Sequence, residues 1–388
     1  MAAGITYLWK LTTCSFSVPF RIFGYRLSTG FWFRLVKDEI NIPFRNNHND
    51  KGLYSHEPLP SKKHIRLFEL HPGSENDSFC GTFRVVSLDS LNDYEALSYT
   101  WGNPRMTDTI DLGDGRCLPL GSNLKNALHH LRDRKQKRKL WIDALCINQQ
   151  DIEERSHQVQ LMAEIYQRCK SVVAYIGMPT PDSQLGFEIL SYLANSNTQI
   201  GDDSMPWNYL NGNDVNAALR DIFERPYFQR VWVVQEAALA PQVRMQVGHL
   251  FFEWSGGAST RKFLARIKLA ELSPSWQQIA ELRDAVDFRP IRELLEQSLA
   301  AEAKRNGVIE SPSLLDVVHS IRHRQAVDPR DRIYGVMSLV TSAEVAEMVP
   351  DYSMSWEETY QRFYEFALRQ VSMDSGITLE GIQRASIQ

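Results

Sequence analysis

Two short stretches of the chain concentrate side chains able to do chemistry. Asp143, Cys146, Asn148 and Gln149 follow the apolar run Leu140-Trp141-Ile142, and Tyr99 and Trp101 follow a second run, Glu95-Ala96-Leu97-Ser98. If both runs are strands of a parallel sheet, these residues stand beyond the carboxyl ends, where open α/β sheets bind ligands. A third group, Trp232 and Glu236, lies at i and i+4, so one helix face presents an indole beside a carboxylate. Such a pair can seat a flat ring, while the carboxylate stabilises the oxocarbenium-like transition state of glycosidic cleavage. That chemistry needs one acid, with neither a metal nor a cofactor.

Each of these residues has a plainer structural reading. Trp101, Trp141 and Trp232 are of a type that serves more often as a core anchor than as a ligand platform. Asp143 can cap its own loop by accepting backbone N–H groups. Cys146 has no histidine at a persuasive spacing, His157 being a full helical stretch away, and reads as a thiol in a packed loop. Glu154 reads as the cap partner of Asp151, and Gln158 as a helix-surface residue. Arg230 could meet Glu236 only if the intervening helix bends, so it is assigned no partner. Asp328, Arg330, Asp331 and Arg332 read as a salt-bridged turn, with ligand binding as the alternative.

The elements that must position these groups follow from periodicity. Ile65–Leu70 and Thr82–Leu88 alternate as strands, and Gly113-Asp114-Gly115 between Thr109–Leu112 and Arg116–Leu118 signals a hairpin. From Ser122, Leu124, Leu128 and Leu131 fall on one helix face. That helix runs into the basic segment Arg132–Lys139, read as a solvated helix end with a phosphate-binding or targeting patch as the alternative. Asp151 and Glu154 form a capping pair for a helix carrying Met162, Ile165, Tyr166 and Cys169, which leads into the continuous strand Val172–Ile176. Leu140 to Gly177 is therefore a β-α-β unit, the building block of parallel sheets. Downstream, Pro181–Asn195 reads as a helix, Pro226 opens another that runs to Ala240, and Val243, Met245 and Val247 alternate as a strand. From about Phe251 the pattern is helical, with Ser355 and Glu358 capping the helix Trp356–Val371.

With 43% hydrophobic and 23% charged residues, the 388-residue chain has an ordinary globular composition. A net charge of −4 gives no pull toward nucleic acid, which is not an expected partner. Five widely spaced cysteines, without a C-x-x-C pair, indicate reduced thiols in a cytoplasmic protein. The first forty residues are aromatic and basic, with no acid before Asp38. They fit a surface arm, a targeting segment, an interfacial anchor or a gene-model extension, and Lys10, Arg21, Arg26 and Arg34 interrupt every candidate membrane span. Membrane contact by residues 1–40 stays open.

The order and spacing of IRLFEL, YEALSYTWGNP, SNLKNALHHLR, LWIDALCINQQDIEERSHQVQLMAEIY and FQRVWVVQEAALA resemble the fungal heterokaryon-incompatibility (HET) domain. DPRDRIYGVMSLV and PDYSMSWEETY resemble that family's trailing motifs, so the likeness covers about residues 62 to 365. No repeat or nucleotide-binding module follows, the organisation of a stand-alone member. The resemblance implies a role in fungal non-self recognition and programmed cell death. HET domains are also distantly similar to Toll/interleukin-1 receptor (TIR) domains, some of which cleave NAD through a helix-borne glutamate. The position similar to that glutamate is Glu236, and Trp232 would then face the nicotinamide ring.

The resulting expectation is an α/β fold with a TIR-like, mostly parallel sheet flanked by helices, an N-terminal β-hairpin elaboration and a mainly helical C-terminal region. Its parts are an arm and linker (1–61), a core (62–250) and a helical extension (251–388). Glu236 is the candidate catalytic acid, and Tyr99, Trp101, Asp143, Asn148, Gln149 and Trp232 are the candidate substrate-binding residues, with NAD or a related nucleotide as substrate. The alternative, motivated by the absence of a phosphate loop, a metal cluster or a Ser-His-Asp order, is a non-catalytic module that signals by self-association or through an incompatibility partner protein.

Overall fold

A computed structural model describes residues 52–90, 93–103, 106–195, 205–307, 312–340 and 342–375. The readings of residues 1–51 lie outside the described residues. Leu53–Phe363 forms one compact unit. Everything that bears on the candidate site belongs to it.

Its centre is a seven-stranded sheet. The strands are β1 (His64–Leu70), β2 (Gly81–Ser87), β3 (Glu95–Tyr99), β6 (Arg138–Trp141), β7 (Ser171–Tyr175), β8 (Gln242–Val247) and β9 (Leu250–Ser255), in the order β9-β8-β7-β3-β6-β1-β2. β4 (Met106–Asp111) and β5 (Arg116–Gly121) form the hairpin expected around Gly113-Asp114-Gly115, in a separate small sheet. Gly113 and Gly115 both have positive φ, which a tight reversal needs. β3 pairs in parallel with β6 and β7, and β7 in parallel with β8. β1 pairs antiparallel with β2 and β6, and β9 antiparallel with β8. Three parallel pairings stand against three antiparallel ones, so the sheet is mixed and the expected mostly parallel sheet is corrected. The reason is local: β1 and β2 close one edge of the four-stranded parallel centre β8-β7-β3-β6, and β9, antiparallel to β8, closes the other. β1 and β2 are thus part of the main sheet, and the hairpin that stands apart from it is β4–β5.

Helices connect the parallel strands: α1 (Ser122–Leu131) precedes β6, α2 (Asp143–Cys146) and α3 (Ile152–Arg168) separate β6 from β7, and α4 (Ser183–Ala194), α5 (Gly212–Phe223) and α6 (Val233–Ala238) precede β8. α3 starts as its sequence demands, the Asp151 carboxylate accepting from the Glu154 N–H at 3.0 Å. Its buried face of Leu161, Met162, Ile165 and Tyr166 covers the sheet, where Tyr166 meets Trp141 edge-on at 5.5 Å. β3, β6 and β7 contribute Ala96, Leu97, Leu140, Trp141, Val172 and Val173, each at most 1% exposed, as strands covered on both faces require. After β9 the described chain is helical, from α7 (Ala258–Leu272) through α8 (Pro274–Gln278), α9 (Ala280–Arg283), α10 (Arg289–Arg305), α11 (Leu314–Ser320), α12 (Asp331–Tyr334) and α13 (Ser342–Glu347) to α14 (Trp356–Ser375). At the start of α14 the expected capping box forms: Ser355 N–H donates to Glu358 Oε2 at 2.8 Å and Glu358 N–H to Ser355 Oγ at 3.1 Å.

The helix expected from Pro226 to Ala240 is interrupted. Pro226–Gln229 is a 3-10 turn, and α6 begins only at Val233. Between them Val231 N–H donates to the Gln325 carbonyl at 3.0 Å and Gln325 N–H to the Gln229 carbonyl at 2.5 Å. A distant loop therefore takes the backbone groups that a continuous helix would have used internally. Among the described residues no helix is long and apolar enough to cross a membrane.

Candidate functional site

Three elements converge at the carboxyl end of β3. Ser98 and Tyr99 end the strand, Asp143 begins α2 just past β6, and the broken segment from Arg225 to Glu236 crosses above them. Ser98 Oγ donates to Glu236 Oε2 and lies 2.9 Å from the Tyr227 hydroxyl. The Arg230 guanidinium donates to the Tyr99 carbonyl at 2.5 Å and stands 3.7 Å from Glu236 Oε1. Trp101 Nε1 donates to Asp143 Oδ2 at 2.9 Å, and the Ala144 N–H donates to Asp143 Oδ1 at 2.7 Å. The outer edge of the group is open, since Trp101 is 40% exposed, whereas Glu236 at its inner edge is 1% exposed.

The electrostatics follow from two carboxylates sharing one guanidinium. Burial pushes the Glu236 carboxyl above its usual range; Arg230 and the Ser98 hydroxyl oppose this, and Asp143 adds to it. Burial raises Asp143 as well, against Arg230, Trp101 and the Ala144 N–H. Burial disfavours the Arg230 cation, but the charges of Glu236 and Asp143 outweigh it and hold the guanidinium protonated. The Tyr99 and Tyr166 hydroxyls are held protonated by burial, with both carboxylates acting on each. The Tyr166 hydroxyl is buried and has no hydrogen-bond partner among the described residues.

Of the residues singled out from sequence, Tyr99, Trp101, Asp143 and Glu236 share this cluster. Asn148 and Gln149 shape the loop after β6: the Gln149 amide donates to the Asp143 carbonyl at 3.0 Å, and Asn148 Oδ1 accepts from the Gln150 N–H at 3.2 Å. Trp232 turns the other way. Its Nε1 donates to Asp331 Oδ2 at 3.0 Å, and Tyr352 donates to Asp331 Oδ1 at 2.7 Å. The i, i+4 spacing holds along the backbone, the Glu236 N–H donating to the Trp232 carbonyl at 3.1 Å, but the two side chains engage different partners. Asp331 is therefore not a member of the expected salt-bridged turn, which reduces to Arg330 with Asp328 at 2.6 Å.

Three further readings change. Arg230 has a partner after all, because the break before α6 lets it fold back on Glu236. Glu154 does more than cap: with Arg66, 1% exposed, it forms an ion pair at 2.5 Å, and it accepts the Asn148 N–H at 2.7 Å. Gln158 is buried, not on the surface, and donates to the His64 carbonyl at 3.1 Å. Cys146 is fully buried and its thiol is pushed up to about 12 by burial, so it is protonated at neutral pH and is a packing residue. Ser98, Tyr166 and Tyr227 were not singled out as site residues, and Arg230 was weighed but given no partner. The one signal for Ser98 is a hydroxyl within an otherwise apolar strand, and Tyr166 is indistinguishable in sequence from the apolar residues that share its helix face.

Residues 94–236, a span that ends on Glu236, match the model of the heterokaryon incompatibility protein (HET) family. The chain thus carries a segment similar to the HET domain. It is 26% identical over 341 residues to Heterokaryon incompatibility protein 6, OR allele, of Neurospora crassa, an alignment covering 75% of this chain and 49% of that protein. The chain thus spans about half the length of the curated relative it matches. No solved structure matches it.

Proposed function

We propose that this chain is an effector of fungal heterokaryon incompatibility that arrests growth or kills the cell, and that its output is hydrolysis of the glycosidic bond of NAD or a related nucleotide at the cluster of Asp143, Arg230 and Glu236. The observation that carries the reading is the meeting of two carboxylates from separate elements at the carboxyl ends of adjacent parallel strands, with an exposed indole, Trp101, at the rim. In this reading Trp101 and Tyr99 form the ring-binding wall, and Asp143 faces the ribose at the open edge. In its ionised form Glu236, which Arg230 and Ser98 favour against burial, stabilises the positive charge that develops at the ribosyl C1′. The bond from C1′ to the pyridinium nitrogen breaks with its electron pair on nitrogen, releasing neutral nicotinamide; water adds to C1′ and gives up one proton. The likeness to TIR domains supports the choice of NAD and of Glu236. Because Glu236 is 1% exposed, catalysis requires the segment Arg225–Arg230 to lift from β3, a change that assembly with further copies or an incompatibility partner would drive.

The same burial favours a second reading, in which the cluster is a structural pin and the protein signals by self-association without chemistry. One experiment separates them. Purified protein, alone and oligomerised, is incubated with NAD and nicotinamide release is measured beside Glu236→Gln and Asp143→Asn, with melting curves to verify folding. Hydrolysis predicts release by the parent and loss of it in folded Glu236→Gln. Equal release from both, or none in any assembly state, refutes it; killing by both variants without release supports the self-association reading.

A further inference from the structure

The connections of the sheet diverge between β3 and β7: the chain leaving β3 returns on the β6 side, while the chain leaving β7 continues toward β8. Such a switch point opens a crevice at the carboxyl ends of the two strands. A pocket lies there, lined among others by Thr100, Asn126, Tyr175, Met178, Arg225 and Pro226. None of the residues considered above as catalytic or substrate-binding is among its lining residues, but Thr100 stands between Tyr99 and Trp101, and Arg225 and Pro226 open the segment that continues to Arg230 and Glu236.

The charge and hydrogen-bonding state of the pocket define what it takes. Arg225 is neutralised and fully engaged, with Asp221 Oδ2 at 2.9 Å, Ser183 Oγ at 3.0 Å and the Met178 carbonyl at 2.8 Å. It therefore braces the wall and does not offer a site for phosphate. The Tyr175 hydroxyl is likewise in use, 3.2 Å from His130 Nδ1 and 3.4 Å from the Met178 sulfur. By contrast, the Asn126 carboxamide and the Thr100 hydroxyl make no hydrogen bond among the described residues. An amide offers a donor and an acceptor side by side, and Met178 and Pro226 supply apolar surface beside it. Gly177 keeps the pocket floor low: its φ is +122°, and a Cβ there would stand 3.2 Å from Arg225 Nη1.

We infer that this crevice is a binding site for a neutral planar heterocycle whose edge carries an adjacent donor and acceptor, read by the Asn126 amide and packed between Met178 and Pro226. Adenine and a nicotinamide carboxamide share that edge chemistry. The site is independent of glycosidic hydrolysis, because its readout is binding alone.

The test is ligand-observed NMR and calorimetry on the full chain with adenosine, nicotinamide and, as a control without the edge, ribose. Binding of adenosine or of nicotinamide, but not of ribose, is expected, and whichever binds identifies the source of the ring. Asn126→Leu, which keeps the helix and removes the amide, should weaken binding about tenfold, the loss of one or two hydrogen bonds at a partly buried site. Met178→Ala should also weaken it, and since Met178 is 48% exposed that variant serves if Asn126→Leu does not fold. No binding of either ring at millimolar concentration, or binding that neither substitution changes, overturns the inference.

Discussion

Asp331 makes stability depend on pH in a direction opposite to that of most carboxylates. Its two oxygens accept from Trp232 Nε1 at 3.0 Å and from the Tyr352 hydroxyl at 2.7 Å. Burial, with Asp328 nearby, nevertheless pushes its carboxyl up to about 6 from an ordinary 3.8, against a smaller pull from Arg155, which lies 4.3 Å above the Tyr352 ring. Between those two pH values the folded chain holds a proton that the unfolded chain has released. Stability contributed by the protonated acid is therefore complete below about pH 4 and lost as pH rises to about 6. A difference of about two units corresponds to about 3 kcal/mol. Asp331→Asn should remove this loss, because the amide has no proton to give up, its oxygen can accept from Trp232, and its NH2 can donate to the Tyr352 oxygen. Urea unfolding of parent and variant across pH 4 to 7 isolates the effect, since all other titrations cancel in the difference. The variant should gain up to about 3 kcal/mol on the parent as pH rises. A difference that is flat with pH, or that moves in favour of the parent, would refute the assignment.

Three other outcomes follow from contacts elsewhere in the fold. Arg66→Met alone leaves Glu154 partly buried without its cation and should destabilise the fold by about 3–5 kcal/mol, whereas Arg66→Met with Glu154→Leu should cost clearly less than the two single changes summed; a denaturation double-mutant cycle measures both. Gly186→Ala places a methyl group 2.5 Å from the Ala218 carbonyl oxygen and 2.5 Å from Ile222 Cδ1 where α4 meets α5, and the melting curve should reflect a loss of about 1–3 kcal/mol. In the native protein Cys146 should resist alkylation long after the partly exposed Cys80 and Cys117 have reacted, and react at a similar rate once urea unfolds the chain, as read by mass spectrometry of the labelled peptides.

The parts of this fold that were legible in sequence are those specified by neighbours along the chain. Asp151 with Glu154 and Ser355 with Glu358 fixed two helix starts, Gly113-Asp114-Gly115 fixed a hairpin, and the β-α-β unit from Leu140 to Gly177 follows from its periodicity. What escaped was specified from a distance. Nothing near Arg230 announces that Gln325, almost a hundred residues later, will take the hydrogen bonds of Gln229 and Val231 and break the helix there. Arg66 alternates correctly as a strand residue, and only the fold supplies Glu154 to neutralise it. The mixed character of the sheet escaped for a similar reason, since alternation shows that Thr82–Leu88 and Val243–Val247 are strands but not which neighbours they take.

The break before α6 links these matters to the site. In an unbroken helix Arg230 and Glu236 would point to different faces; the Gln325 pairing ends the first turn, and the guanidinium comes to stand 3.7 Å from the Glu236 carboxylate and against the end of β3. That one cation serves two carboxyl groups, so one negative charge is left unmatched whenever both ionise; burial displaces both acids upward, and for Glu236 the charge of Asp143 adds to it. A cluster built only to pin a helix to a strand would be better served by a single acid, because an uncompensated buried charge is costly. A second carboxylate hydrogen-bonded to an exposed indole would be matched by a cationic ring such as the pyridinium of the proposed substrate. Under the proposed hydrolysis, charge balance would favour placing that cation by Asp143, since Glu236 already faces Arg230.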